Sequence, residues 1–266
     1  MTAATEIWTY RNLIYNLAQR ELRARYKKSL LGWLWSLINP AAMLGIYTVV
    51  FGVFFQTKPP VAGNGDTKSY GLYLFAGLVV WNMFNSTVTG AIIALQTSGG
   101  LLNKVYFPPS APAIANLMTV VLQALIEGGI LAVIMIALGN VSITYILFPV
   151  TLVFLALFSM GIGLFVSVFN VYYRDVGYLV SIGMQVLFYS TPIIYPLSLL
   201  DIHPAIRDLV SLNPLTQLVE WCRDAFYNLT WPSFASFSLT ALACIATFVV
   251  GWVVFNIKAR NIAEDL

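Results

Sequence analysis

Residues 21–40 read ELRARYKKSLLGWLWSLINP. Arg23, Arg25, Lys27 and Lys28 stand just ahead of a long apolar run, residues 29–55, that carries no formal charge. Lys and Arg within about 15–20 residues of a spanning helix hold that end on the cytoplasmic side. Tyr26, Trp33 and Trp35 add amphipathic rings of the kind favoured at headgroup depth. This cluster sets the direction in which the first span threads, and every later loop inherits its side from it.

The composition supports lipid as the solvent. Of 266 residues, 59% are hydrophobic and 9% charged, against about 25% charged in a soluble domain. A soluble core of this length has no room for so much apolar surface. The net charge of +3 is concentrated at one place, which fits topology or lipid headgroups rather than nucleic acid. Cys222 and Cys244 have neither CxxC nor metal spacing, and a disulfide is not expected. The single histidine, His203, argues against a histidine-based metal site. No cleavable signal is expected, because the first apolar run is too long for one.

Outward from this stretch, residues 1–28 form an amphipathic segment. Ile7, Tyr10, Leu13, Ile14 and Leu17 share one helical face, and Asn12, Asn16, Arg20, Arg23 and Lys27 the other. That pattern predicts a helix lying in the headgroup layer and ending or turning after Glu21. As one helix, residues 29–55 would reach about 40 Å, against about 30 Å of hydrocarbon. Asn39-Pro40 is the expected break, with a shallow entry piece before it and the crossing after it.

Further spans are expected at residues 71–95, 112–138, 146–169, 176–195 and 237–257 by length of apolar run. Between them lie an outer loop rich in proline and glycine at 56–70 and an inner segment at 96–111. Within the latter, LLNKVYF sits between Gly99-Gly100 and Pro108-Pro109 and reads as a small isolated helix. Asp175 is the expected cap of the fifth span, and Pro192 and Pro196 break that span near its outer face. In the outer segment 197–236, Asn213-Pro214 reads as cap and first helical residue. Leu215, Leu218, Val219, Cys222 and Phe226 then follow at helical spacing, too short and too charged to span. Residues 204–212 form a shorter partner, and the pair could dip into the outer leaflet.

The expectation is therefore an all-α integral membrane protein of six transmembrane helices. It has an N-terminal interface helix (1–28), a transmembrane domain (29–266) and short outer re-entrant or gate helices. Both termini lie inside, with only Lys58, Lys68, Arg207 and Arg223 external among the 14 Lys and Arg. That bias agrees with the parity of six spans. A further span hidden in 197–236 would move the C-terminus outside, but its charges and prolines argue against it.

Few residues carry chemistry. GNGDTKS at 63–69 has Thr67 where a phosphate loop needs glycine, so any ATP belongs to another chain. Glu127 is the acid expected at mid-depth. A proton relay normally needs several such groups, so Glu127 reads as paired or protonated against another helix, with Gly128 and Gly129 allowing close approach. Asp201, His203 and Asp208 do not make a metal trio, and Asp208, Glu220 and Asp224 do not make a glycosidase pair. The chain has 7 Trp, 14 Tyr and 17 Phe, mostly for interfacial belts and packing. Candidates for lining a passage, with ring faces against the C–H faces of sugars, are Trp33, Trp35, Tyr47, Phe51, Phe188 and Tyr189.

Three stretches carry a resemblance: the basic cluster followed by SLLGWLWSLINPAAML, the run VFNVYYRDVGYLVSIGMQVLFYSTPIIYP, and SLNPLTQLVEWCRDAFYN. With NxxxRD at residues 170–175 and TPIIYP at 191–196, they resemble the integral-membrane subunit of ABC-type polysaccharide exporters. This type-2 permease family exports O-antigen, teichoic acids, capsule and galactan. The likeness covers almost the whole chain, with the motifs in family order.

The resemblance implies a homodimer in the bacterial cytoplasmic membrane, partnered by two cytoplasmic ATPase subunits that hold ATP and Mg, with no cofactor in this chain. It implies entry of a polyprenyl-linked glycan beside the N-terminal helix, its pyrophosphate drawn to Arg20, Arg23, Arg25, Lys27 and Lys28. It implies ATPase coupling through Leu101, Leu102, Asn103, Lys104, Tyr106 and Phe107, an inner-loop motif of Asn170, Arg174 and Asp175, and an outer gate in 204–228. Two rivals are an ion-coupled transporter and a membrane glycosyltransferase acting on a lipid carrier. The first lacks intramembrane charges beyond Glu127; the second lacks clustered cytoplasmic acids for a metal.

Overall fold

A computed structural model describes residues 3–26, 31–56, 60–102 and 107–258. Its α-helices are α1 (Ala3–Thr9), α2 (Arg11–Tyr26), α3 (Trp35–Tyr47), α4 (Tyr70–Leu102), α5 (Ala111–Ala137), α6 (Leu147–Tyr172), α7 (Asp175–Ser190), α8 (Pro204–Ser211), α9 (Pro214–Arg223) and α10 (Phe234–Lys258). No strand occurs among these residues. Five helical segments are long and apolar enough to cross a bilayer: Trp35–Phe54, Tyr70–Thr97, Ala111–Ala137, Ile143–Tyr172 and Phe234–Lys258. The remaining one of the six expected spans, the fifth, is α7, whose 16 residues reach about 24 Å, short of about 30 Å of hydrocarbon. It stops at Ser190, not Tyr195, because Pro192 cannot continue the ladder.

α4 is the axis of the fold. It packs against α5 and α6 along its length and against α9 at the far end, away from α2. Its far half buries Leu74, Phe75, Ala76, Val79, Val80 and Phe84. α6 carries α10 on its other side, and a Cβ on Gly251 would overlap the Gly161 carbonyl oxygen. Small residues at such a crossing let two backbones touch. Gly128 on α5 instead makes room for a side chain, since a Cβ there would strike the Phe148 ring of α6, while Gly129 faces open space.

Several expectations are corrected. Pro40 does not break the first span: it lies inside α3. The turn comes earlier, at Gly32, whose φ of +50° suits a residue without a Cβ. Beyond Tyr47 the span continues as a π-helical stretch, Thr48–Phe54. α2 does not stop at Glu21 but runs to Tyr26. Its apolar face packs on protein: Ile14 and Ala18 are buried with Phe107, Ala111 and Ala115. Thr119 Oγ1 donates to Glu21 at 3.5 Å beside them.

The helix expected at 101–107 does not begin afresh at Leu101, and residues 103–106 lie outside the described residues. Gly99-Gly100 leave α4 unbroken, so Leu101 and Leu102 are its last turn, and Phe107 is non-helical and buried beneath α2. Asp175 is the first residue of α7; Arg174 holds the cap position, with no side-chain cap bond. Asp175 still favours the helix start through the dipole.

Candidate functional site

Two polar constructions interrupt the apolar bundle. The first ties the far end together. Asn213 caps α9 by accepting from the Leu215 N–H at 3.0 Å, with Pro214 as first helical residue. The face expected to be apolar is buried: Leu215, Leu218, Val219, Cys222 and Phe226. Burial pushes the Cys222 thiol up to about 12, so it carries no reactive thiolate at neutral pH.

The same helix ends in Arg223, which is fully buried. Its Nη1 donates to the Pro192 carbonyl and its Nη2 to the Ile193 carbonyl, both at 2.7 Å. Its Nε donates to the Tyr73 carbonyl at 3.4 Å, and its Cζ lies 3.9 Å from the Tyr73 ring centroid. Glu220 pairs with Nη1 at 2.7 Å. The break after α7 frees backbone carbonyls that lipid cannot satisfy, and the guanidinium fork supplies them with donors.

Asn140 knits the remaining segments at this end of the bundle. It donates to the Phe226 and Tyr227 carbonyls at 2.6 and 3.1 Å and accepts from the Asn64 N–H at 2.9 Å. The Tyr227 hydroxyl reaches the Pro60 carbonyl at 2.7 Å. Sequence reasoning missed Arg223 and Asn140, since each binds groups distant in the chain. The nearest available signal was that Arg223 directly follows Cys222 on the apolar face of the helix.

The second construction is a groove of about 590 Å³ between α3, α4 and α5. One wall is a stripe on α3 at every fourth residue: Trp35, Asn39, Met43 and Tyr47. α4 contributes Phe75, Leu78, Asn82 and Ser86, and α5 contributes Gln123 and Glu127. Glu127 is 6% exposed. Asn82 Nδ2 donates to its Oε2 at 3.3 Å and Gln123 Nε2 to its Oε1 at 3.2 Å. Gln123 Nε2 also donates to the Ser36 carbonyl at 3.2 Å. That carbonyl is the one whose helical partner Pro40 removes, which is why the proline does not break α3. Glu127 is therefore paired across helices, as expected.

The other expected site residues are distributed unevenly. Trp35 and Tyr47 line this groove, and Phe51 continues the line, 6.3 Å from Tyr47 and 5.1 Å from Tyr70 by ring centroids. Phe188 packs instead on Trp81 at 5.1 Å, and Tyr189 beside it is exposed. Arg20 and Arg23 are exposed on α2. Asn170 is buried, and neither side-chain polar atom has a hydrogen-bond partner among the described residues. Arg174 and Asp175 are exposed, unlike Asn170. The side chains of Arg25, Trp33, Leu101 and Leu102, and all of Lys27, Lys28, Asn103, Lys104 and Tyr106, lie outside the described residues. No group of three or more His, Cys, Asp or Glu suited to a metal occurs among the described residues.

Comparison with known proteins places this architecture. Over 98% of both chains, the sequence is 29% identical to the O-antigen export system permease protein RfbA of Myxococcus xanthus. It is 28% identical to an RfbA of Klebsiella pneumoniae over 96% of this chain and 95% of that one. It is 24% identical to the polysialic acid transport protein KpsM of Escherichia coli over 90% of each. The ABC-2 type transporter family model matches residues 12–227, and the chain belongs to that family.

Proposed function

We propose that this chain is the membrane-spanning half of an ATP-driven exporter that moves a lipid-linked polysaccharide out across the bacterial cytoplasmic membrane. Two copies pair, and two cytoplasmic ATPase chains supply ATP and Mg. The observation that carries the reading is likeness along nearly the full length to permeases named for O-antigen and polysialic acid export. The lack of an ATP-binding motif in the chain is consistent with hydrolysis on another subunit.

In this scheme Arg20, Arg23, Arg25, Lys27 and Lys28 neutralise the carrier pyrophosphate at the inner surface. The segment from Leu101 to Phe107 meets the ATPase. Phe107 packs under α2, so movement there is felt by the basic helix directly. Closure then passes to the spans as a rigid-body displacement, and α8 and α9 edge the outer exit. The termini lie inside.

The test is deletion and complementation. Cells without the chain should accumulate glycan inside, and the wild-type chain should restore surface glycan. The chain should also co-purify with an ATPase subunit whose hydrolysis the accumulated lipid-glycan stimulates. Transport by the chain alone would favour an ion-coupled carrier. Turnover of a labelled nucleotide sugar by the chain alone would favour a glycosyltransferase.

A further inference from the structure

The groove around Glu127 has a lining that neither lipid nor a plain protein contact accounts for. Asn39, Asn82 and Ser86 are exposed on helices long enough to cross the bilayer. Exposed amides and hydroxyls at membrane depth face water, ligand or protein rather than hydrocarbon. An acyl chain in the groove would leave those groups without partners. An apolar helix from a second copy would do the same. A proton path is not built here either, since Glu127 is the one carboxylate in the lining.

The arrangement of what is there is specific. Along α3 the Trp35 ring, the Asn39 amide, Met43 and the Tyr47 ring follow one another and oppose Asn82, Ser86, Gln123 and Glu127. The α3 stripe extends about 18 Å along the helix axis. The volume of about 590 Å³ falls within the roughly 300–1,000 Å³ of small-ligand sites. Each Glu127 oxygen already accepts one amide N–H and has a further lone pair available to a hydroxyl donor. The two amides hold the carboxylate in place, so it need not reorganise to accept. Flat rings that cover C–H faces, next to a fixed carboxylate and amides that take hydroxyls, are the two surfaces a sugar presents.

We propose that this groove is a saccharide subsite, which holds a short run of the polymer along α3 by its hydroxyls and ring faces. The inference rests on the exporter reading above and adds the place where the sugar is gripped. Glu127 and Asn82 accept and donate to hydroxyls, Ser86 floors the groove, and Trp35 and Tyr47 stack.

The experiment uses the full complex with its ATPase in lipid nanodiscs. ATPase rate is titrated with two probes: the lipid-linked glycan extracted from cells deleted for this chain, and polyprenyl pyrophosphate without glycan. Ser86→Phe, which fills the groove from an exposed position, should raise the half-maximal concentration of the lipid-glycan at least tenfold. Asn82→Leu should raise it about fivefold and the isosteric Glu127→Gln about threefold. None should shift the response to the glycan-free carrier, and co-purification with the ATPase reports assembly. Stimulation of the wild type with unshifted variants overturns the subsite and leaves the exporter standing. Equal shifts with both probes also overturn it, since the groove would then read the carrier lipid. A wild type that the lipid-glycan does not stimulate removes the exporter reading, and this inference with it.

Discussion

α7 and α9 reverse the usual relation between hydropathy and burial. α7 has 16 residues and buries none of them. Tyr178, Leu179, Ile182, Val186 and Tyr189 all face outward. α9 has 10 residues, carries Glu220 and Arg223, and buries Leu215, Thr216, Leu218, Val219, Trp221, Cys222 and Arg223. In lipid an apolar face gains little by packing, because acyl chains solvate it as well as a neighbouring helix does. What draws a segment inward is polar pairing and close shape. α9 has both; α7 has only a half-buried face, Val180, Met184, Leu187 and Phe188, against the core, and it is tied at its broken end through the guanidinium.

The sharpest way to break this contrast is to remove the tie. Arg223→Met leaves Glu220 without its cation and the Pro192 and Ile193 carbonyls without donors. Removing one partner of a buried pair costs about 3–5 kcal/mol. Detergent-purified variant protein should lose its monodisperse fraction at a much lower temperature than wild type. Arg223→Lys should recover only part of this, since a single ammonium cannot fork to both carbonyls. Equal thermal stability of Arg223→Met and wild type would show that α7 is held by something else.

A gentler version adds one methyl on each side of the contrast. A Cβ on Gly77 of α4 would meet Arg223 Nη2 at 3.1 Å, Val219 Cγ1 at 3.4 Å and the Ile193 carbonyl at 3.5 Å. Because Nη2 is hydrogen-bonded, it cannot swing aside cheaply, and Gly77→Ala should cost about 1–3 kcal/mol by overpacking. On α7, a Cβ on Gly183 meets nothing within 4 Å. Gly183→Ala should therefore gain about 0.5–1 kcal/mol from helix propensity alone. Thermal melts of the two variants should move in opposite directions. A loss at Gly183 would place a second copy of the chain against that face.

What was legible in the sequence was local. Asn213-Pro214 and the spacing from Leu215 to Phe226 set the start and buried face of α9, because caps and helical periodicity involve neighbours in the chain. Glu127 was legible as a paired acid, since an unpaired one is too costly at that depth. Its partner Gln123 lies one turn earlier, and Asn82 is 45 residues away. The misreadings come from distant partners. Pro40 looked like a break because Gln123, which takes the freed Ser36 carbonyl, lies 87 residues on. Phe107 looked like part of a free-standing helix because nothing local shows that α2 folds over it. α7 differs from these: hydropathy continues to Tyr195, but the break after Ser190 was legible locally in Pro192 and Pro196.

Arg207 gives the smallest effect and the closest control. In sequence it and Arg223 are equivalent: two cations in the same outer segment, 16 residues apart. In the fold, Arg207 on α8 pairs with Asp201 at 3.1 Å with both side chains about half exposed, 50% and 53%. Water solvates either charge nearly as well as the partner does, and holding two long side chains together offsets the gain. Such pairs contribute about 0–1 kcal/mol and weaken with salt. Arg207→Ala should leave the thermal melt within error of wild type, and raising the salt concentration should erase any residual difference. Arg223→Met should remain destabilised at the same high salt, because a fully buried guanidinium paired with a largely buried carboxylate is screened far less than an exposed pair. If instead both variants respond to salt alike, the guanidinium of Arg223 is reached by water, and α9 would no longer be the buried member of the comparison.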